Sequence, residues 1–395
     1  MVTERWNRMA TDKMKKTFYI ALFFMVISAQ AQTALYNSGN LRIHEDGHLG
    51  FHTNLINDGV FDENSGLAGF YGIAPLTISG ALPPTLFDVE ISNDTNVGLN
   101  TVVNVSNNLN FIVGDFFTPK DEPQYYLNFL ADSFYTGESD ISKVNGYATV
   151  TDLQNFTFPV GDGMQVRPLV LRSQSVNTLA KCAYFFENPN NPSTFTGTFD
   201  TERRPPQLGS VSTREFWRLE GDVPSTVQIT WNGRSNMGEV TDDVSKIVVV
   251  GFSKTTGRWE ILAGGAAAGD LTEGLVVSAL FVPDEYEALT FGATGEPRDY
   301  LTLDNYLVTP NGDGRNEALE IPELELSPNN HLQIYDRFGL KVFEMSNYTN
   351  QFVGYSNVNN FVIGRDEGLP EGVYFYVVSL KDLELDFQGF FYLAR

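Results

Sequence analysis

Cysteine is nearly absent. The 395 residues hold one, Cys182, so no disulfide can form within the chain and stability has to come from strand ladders and buried apolar area. Histidine is scarce too. The four present, His44, His48, His52 and His331, offer little for a metal centre or a nucleophile with its base. Basic residues are outnumbered, with 26 Lys and Arg against 49 Asp and Glu, a formal net charge of −23. A surface of that sign repels phosphate backbones and anionic lipid, which argues against nucleic acid as a partner. Helical periodicity is missing beyond residue 31, and no second apolar stretch of membrane-spanning length follows.

The one long apolar run is Phe18 to Ile27. It is too short to span a bilayer comfortably. Arg5, Arg8, Lys13, Lys15 and Lys16 precede it, and Ala29-Gln-Ala31 follows with small residues at both pocket positions of a signal peptidase site. Residues 1–31 therefore read as an export signal cut before Gln32, with Met14 the more natural start. Setting aside its five basic and two acidic residues leaves 21 against 47, a net charge of −26. The mature chain is expected to have no membrane span. Its length suits two or three domains of roughly 100–200 residues each.

What is abundant is the signature of short strands. Leu41-Arg-Ile43, Leu49-Gly-Phe51, Val60-Phe61, Leu76-Thr-Ile78, Val89-Glu-Ile91, Thr101 to Val105 and Leu109 to Val113 alternate with turns such as Asp46-Gly47, Asn57-Asp-Gly59 and Asn93-Asp94. Asn recurs at 93, 96, 100, 104, 107, 108 and 110, and stacked Asn side chains can bond from rung to rung, although the repeat is irregular. Residues 32–195 are expected to form a short Asn/Gly-rich β-solenoid, with a sandwich as the alternative. Breakers at Asn188-Pro-Asn-Asn-Pro192 and Arg203-Arg-Pro-Pro206 place a boundary near 186–210. Residues 196–296 read as a β-sandwich, with Trp217, Trp231 and Trp259 as core anchors and Thr255-Thr-Gly257 as a hairpin turn. The fold class is all-β throughout.

Candidate chemistry is thin. His44-Glu-Asp-Gly-His48 has the spacing of a zinc-protease pair, but that chemistry needs a helix to bring i and i+4 together, and Asp46-Gly47 is a turn signal. Cys182 stands in an apolar strand and reads as a buried structural thiol. Asp and Glu are plentiful, yet nothing in the sequence pairs two of them as glycosidase carboxylates. Asn311-Gly-Asp-Gly314 has half of a calcium loop's alternating oxygens, without the bidentate Glu that would end one, and reads first as a structural turn with calcium as the alternative. No metal or other cofactor and no catalytic residue is expected.

Beyond residue 297 the alternation sharpens. Leu332 to Tyr335 and Leu340 to Phe343 flank the turn Asp336-Arg-Phe-Gly339, and Gly372 to Leu380 and Leu385 to Leu393 flank a second. Five to seven strands in this length predict an immunoglobulin-like sandwich. The spaced motifs are Thr309-Pro-Asn-Gly-Asp-Gly-Arg-Asn316, Ile334-Tyr-Asp-Arg-Phe-Gly339, Asn347-Tyr-Thr-Asn350, Gly368-Leu-Pro-Glu-Gly-Val-Tyr-Phe-Tyr376 and Tyr392-Leu-Ala-Arg395. In this order they resemble the gliding-motility-associated C-terminal domain, the type B sorting domain of the type IX secretion system in Bacteroidetes. Where many relatives have Trp-Asp-Gly, this chain has Phe352-Val-Gly354.

The resemblance implies that residues 297–395 are a sorting domain. Its motif residues would be Thr309, Pro310, Asn311, Gly312, Asp313, Gly314, Asn316, Arg337, Gly339, Leu369, Pro370, Gly372, Tyr374, Tyr376 and Arg395. It further implies transit through the periplasm, then the outer surface or medium, with the general secretory and type IX machineries as partners. The expected function is that of a non-enzymatic surface or secreted β-protein with an adhesion, stalk or coat role and a surface polysaccharide or protein as ligand. The alternative is a protein that binds or cleaves extracellular polysaccharide.

Overall fold

From Ala34 to Val150 the chain winds in parallel rungs, each contributing short strands to two facing sheets. One sheet takes Ala34–Asn37, Asn54–Asn57, Leu76–Ser79, Val97–Leu99, Phe116–Phe117 and Val144–Asn145 in that order, every pair parallel. The other takes His48–Phe51, Leu67–Gly72, Thr85–Asn93, Val103–Val113, Leu127–Phe129 and Ala148–Val150, with Phe134–Thr136 paired beside Val103–Val113. This is the expected β-solenoid. The structure is a computed structural model describing residues 34–262, 264–265, 267–295, 306–321, 324, 327–359, 367–381 and 385–395. The export signal and its cut site at Ala29, Ala31 and Gln32 lie outside the described residues.

Alternation explains the rungs. In Thr85–Asn93, Leu86, Val89 and Ile91 point inward and are buried, while Asp88, Glu90 and Ser92 point outward. Phe51 stacks on Phe70 at 4.9 Å, and Phe70 meets Phe116 of the opposite sheet edge-on at 6.0 Å. Asparagine ties the corners. Asn37 donates to Asn57 Oδ1 at 2.7 Å, Asn57 donates to the Leu82 carbonyl at 2.7 Å, and Asn128 donates to Asn104 Oδ1 at 2.9 Å. Such bonds satisfy buried polar groups that the turns would otherwise strand.

The first of two compact units holds the described residues up to Thr198 with Arg214–Thr230 and Val277–Leu289. After Val150 its pairing becomes antiparallel. Ala148–Val150 pairs with Ala180–Phe185, which pairs with Phe216–Glu220; Leu153–Phe158, Leu169–Asn177 and Ser225–Trp231 form a separate sheet. Buried at this change of pattern, Arg167 donates through Nε and Nη2 to Glu215 Oε2 at 3.2 and 2.8 Å, and Tyr184 donates to the same oxygen at 2.6 Å. Trp217 donates to the Arg167 carbonyl at 3.0 Å.

The second unit holds Phe199–Thr213, Trp231–Val276 and the described residues from Thr290 on. Ile247–Ser253 pairs with Trp259–Ile261 across the expected Thr255-Thr-Gly257 turn. Trp231 and Trp259 are buried, and their ring nitrogens donate to the carbonyls of Asp270 and Phe199. Among the described residues helix is confined to short 3-10 turns, and no helix is long and apolar enough to cross a membrane.

The C-terminal strands form one sheet in the order Tyr306–Val308, Leu385–Leu393, Gly372–Leu380, Asn330–Tyr335, Lys341–Ser346. Only the pair formed by Tyr306–Val308 and Leu385–Leu393 is parallel. Leu332, Ile334, Tyr376, Val378 and Phe391 bury one face, and the layer over it, among the described residues, comes from irregular segments carrying Leu319, Ile321, Tyr348, Phe352 and Leu369.

Candidate functional site

Strand register gathers the motif residues of the C-terminal sheet at one end. Val308 and Gly372 both pair with Leu393, and Tyr335 pairs with Phe375. The turn after Val308, the entry into Gly372–Leu380, the hairpin after Tyr335 and Arg395 therefore all leave the sheet on the same side.

The turn Thr309 to Asn316 closes on itself. Thr309 N–H donates to the Asn316 carbonyl at 2.7 Å. Asn311 Oδ1 accepts from Asp313 N–H at 3.0 Å, Asp313 Oδ1 accepts from Arg315 N–H at 2.8 Å, and Glu317 Oε1 accepts from Gly314 N–H at 2.9 Å. Gly312, Gly314 and Asn316 all have left-handed backbone, which is why Gly and Asn occupy those places. The loop is exposed, and the oxygens offered as calcium ligands already serve as turn acceptors.

In the hairpin, Asp336 Oδ1 accepts from the N–H groups of Phe338 and Leu340, both at 2.9 Å, and Gly339 has φ +81°. Arg337 lies over the exposed Phe338 ring at 4.8 Å.

Arg395 is the keystone of this end. Its guanidinium donates to the carbonyls of Glu367 and Gly354, each at 3.0 Å, and its backbone N–H donates to Glu371 Oε1 at 3.1 Å. The ring of Tyr355 lies 5.2 Å from the same guanidinium. A Cβ on Gly368 would overlap the guanidinium, so a side chain there would displace Arg395. A Cβ on Gly354 would fall 3.2 Å from Pro310, 3.3 Å from Leu393 and 3.5 Å from Arg395, so two separate motifs converge on it.

Leu369 is buried and donates its N–H to the Gly354 carbonyl at 2.9 Å. Tyr374 donates to the Pro370 carbonyl at 2.8 Å and stacks on Phe391 at 5.6 Å. Burial raises the Tyr374 pKa, Asp336 adds to the rise, and Arg395 and Arg337 oppose it, so those charges sit around one hydroxyl. Tyr376 stands apart, buried along the sheet, with its phenol in the space a Cβ on Gly389 would need. Tyr355 and Glu367 were not singled out in the sequence, and Gly354 and Glu371 were quoted only as members of longer stretches. Their role appears only once Arg395 reaches them.

The other sequence candidates separate. His44 to His48 is an exposed turn, with Asp46 in left-handed backbone and Gly47 N–H bonded to the His44 carbonyl at 2.8 Å, so the two rings lack the helical spacing zinc chemistry needs. Cys182 is fully buried, and burial raises its thiol pKa well above the usual range. Among the described residues no group of three His, Cys, Asp or Glu is placed to hold a metal ion.

Residues 301–393 match the family model of the CHU_C Type IX secretion signal domain. No curated protein and no solved structure matches the chain. The chain thus carries a type IX secretion signal domain over the residues whose motifs converge on Arg395, and that signal marks it for export through the type IX system.

Proposed function

We propose that the protein is a non-enzymatic β-protein which passes through the periplasm by the general secretory route and works at the outer cell surface or in the medium. Its body serves as a stalk, adhesion or coat module. The motif end of the C-terminal sheet is the part the secretion machinery reads. The observation that carries this reading is the convergence of Pro310, Gly354 and Gly368 of the matched domain on Arg395, two residues past its end. A stacked solenoid with an outward polar face suits an extended surface module better than a catalytic cleft. The His44 turn and the buried Cys182 supply none of the geometry that proteolysis or thiol chemistry requires.

The test is fractionation of the native bacterium expressing the chain with and without residues 298–395. The truncated form is expected in the periplasm and the full chain at the surface or in the medium. The same location for both would remove the sorting role.

A further inference from the structure

The outward face of the solenoid carries two rows of residues aligned by strand register. Register aligns Gly50, Gly69, Glu90, Asn110 and Thr136 on successive strands, and beside them His48, Leu67, Asp88, Asn108 and Phe134. Strands in a ladder stand about 4.8 Å apart, so residues of each row follow one another at that interval along the solenoid axis, and the Tyr71 ring covers the two glycines of the first row.

At one end, the Tyr71 ring occupies the space a Cβ on Gly69 would need and touches Gly50, so it lies along the sheet, half-buried, with His52 at 5.8 Å. Tyr71 donates to Glu90 Oε1 at 2.9 Å and Asn110 donates to Glu90 Oε2 at 3.1 Å. Asn107 donates to Asp88 Oδ1 at 2.7 Å. At the other end, Phe134 is 50% exposed on a shallow depression of about 400 Å³ lined also by Tyr135, Phe156, Asn155 and Arg172.

We infer that this track, from Tyr71 across Glu90 and Asn110 to Phe134, binds a neutral polysaccharide chain lying along the solenoid axis. Planar rings at both ends suit the CH faces of sugar rings, and fixed amides and carboxylates between them suit hydroxyls, which both donate and accept. Neither row contains Lys or Arg, while both contain a carboxylate, so phosphate and uronate chains are repelled along most of the track. Arg172 stands only at the far end. The proposal rests on the body being the outward-acting module and names its ligand class.

The test is affinity electrophoresis of the purified protein in gels holding a neutral glucan, xylan or mannan, or alginate as the anionic comparison. At least one neutral polysaccharide is expected to retard the wild type. Phe134→Ala and Asn110→Ala should each weaken retardation about fivefold to tenfold, the size of one stacking or hydrogen-bonding contact, with melting temperature unchanged to a few degrees. No retardation by any neutral polysaccharide, or retardation that both track variants retain, would overturn the proposal. So would retardation by alginate alone that Arg172→Ala abolishes, since the ligand would then be anionic. The assay does not depend on export, so its failure and a failure of the fractionation experiment are told apart.

Discussion

Lys120 is half-buried in the solenoid unit, its ammonium 5.2 Å from the Phe185 ring and donating to the Tyr184 carbonyl at 2.7 Å. Burial pushes its pKa down from 10.5 to about 8, with Asp162, Glu187 and Asp115 opposing. A lysine whose folded pKa is depressed binds fewer protons folded than unfolded between those values, so stability rises with pH across that window. Tyrosine works the other way. Burial raises Tyr135 and Tyr184 well above their usual value of 10.0, so above that pH the unfolded chain sheds protons the fold keeps, and stability falls. Urea unfolding is expected to show stability climbing from about pH 8 to 10, by up to about 3 kcal/mol, then dropping. Lys120→Met should flatten the climb and leave the drop; an unchanged climb would assign it to other groups. None of this is legible in the sequence, where Lys120 is one more residue in a polar turn.

At the scale of elements, alternation made most strands legible. The strands Gly372–Leu380 and Leu385–Leu393 have the limits expected from sequence. The misses have local causes. Leu41 to Ile43 looks like a strand, but Leu41 N–H bonds the Val60 carbonyl and Ile43 N–H bonds Asn64 Oδ1 at 2.8 Å, so a side chain takes a ladder position and the segment stays irregular. Leu67–Gly72 is glycine-rich and lacks a strand's composition, yet parallel neighbours on both sides hold it extended. The asparagine ladder is a rung-to-rung device, and Asn57 is its buried middle member. Asn57→Ala takes the side-chain donor from the Leu82 carbonyl and leaves the Asn37 amide only its bond to the Val60 carbonyl, so the unfolding free energy should fall by about 1–3 kcal/mol. Asn107→Ala, on the exposed face, should cost less in the same urea titration. Equal costs would show that burial is not what gives Asn57 its weight.

For the whole molecule, acidity without disulfides raises the question whether cations hold the fold. In the Thr309 to Asn316 turn the side-chain oxygens of Asn311 and Asp313 are engaged by the loop's own N–H groups. Melting temperature is expected to be the same with and without a calcium chelator, and a fall of several degrees would favour the calcium alternative over a purely structural turn. The sequence by itself determined the all-β class, the lack of internal cross-links, the sign of the surface and the sorting motifs, because each follows from composition or from residues near one another in the chain. Only the tertiary structure decided that Arg395 reaches Gly354, 41 residues away, that Arg167 meets Glu215 across 48, and that Glu90 and Asn110 fall in one row. Local spacing carries no record of such meetings, since they depend on which strands pair and in what register.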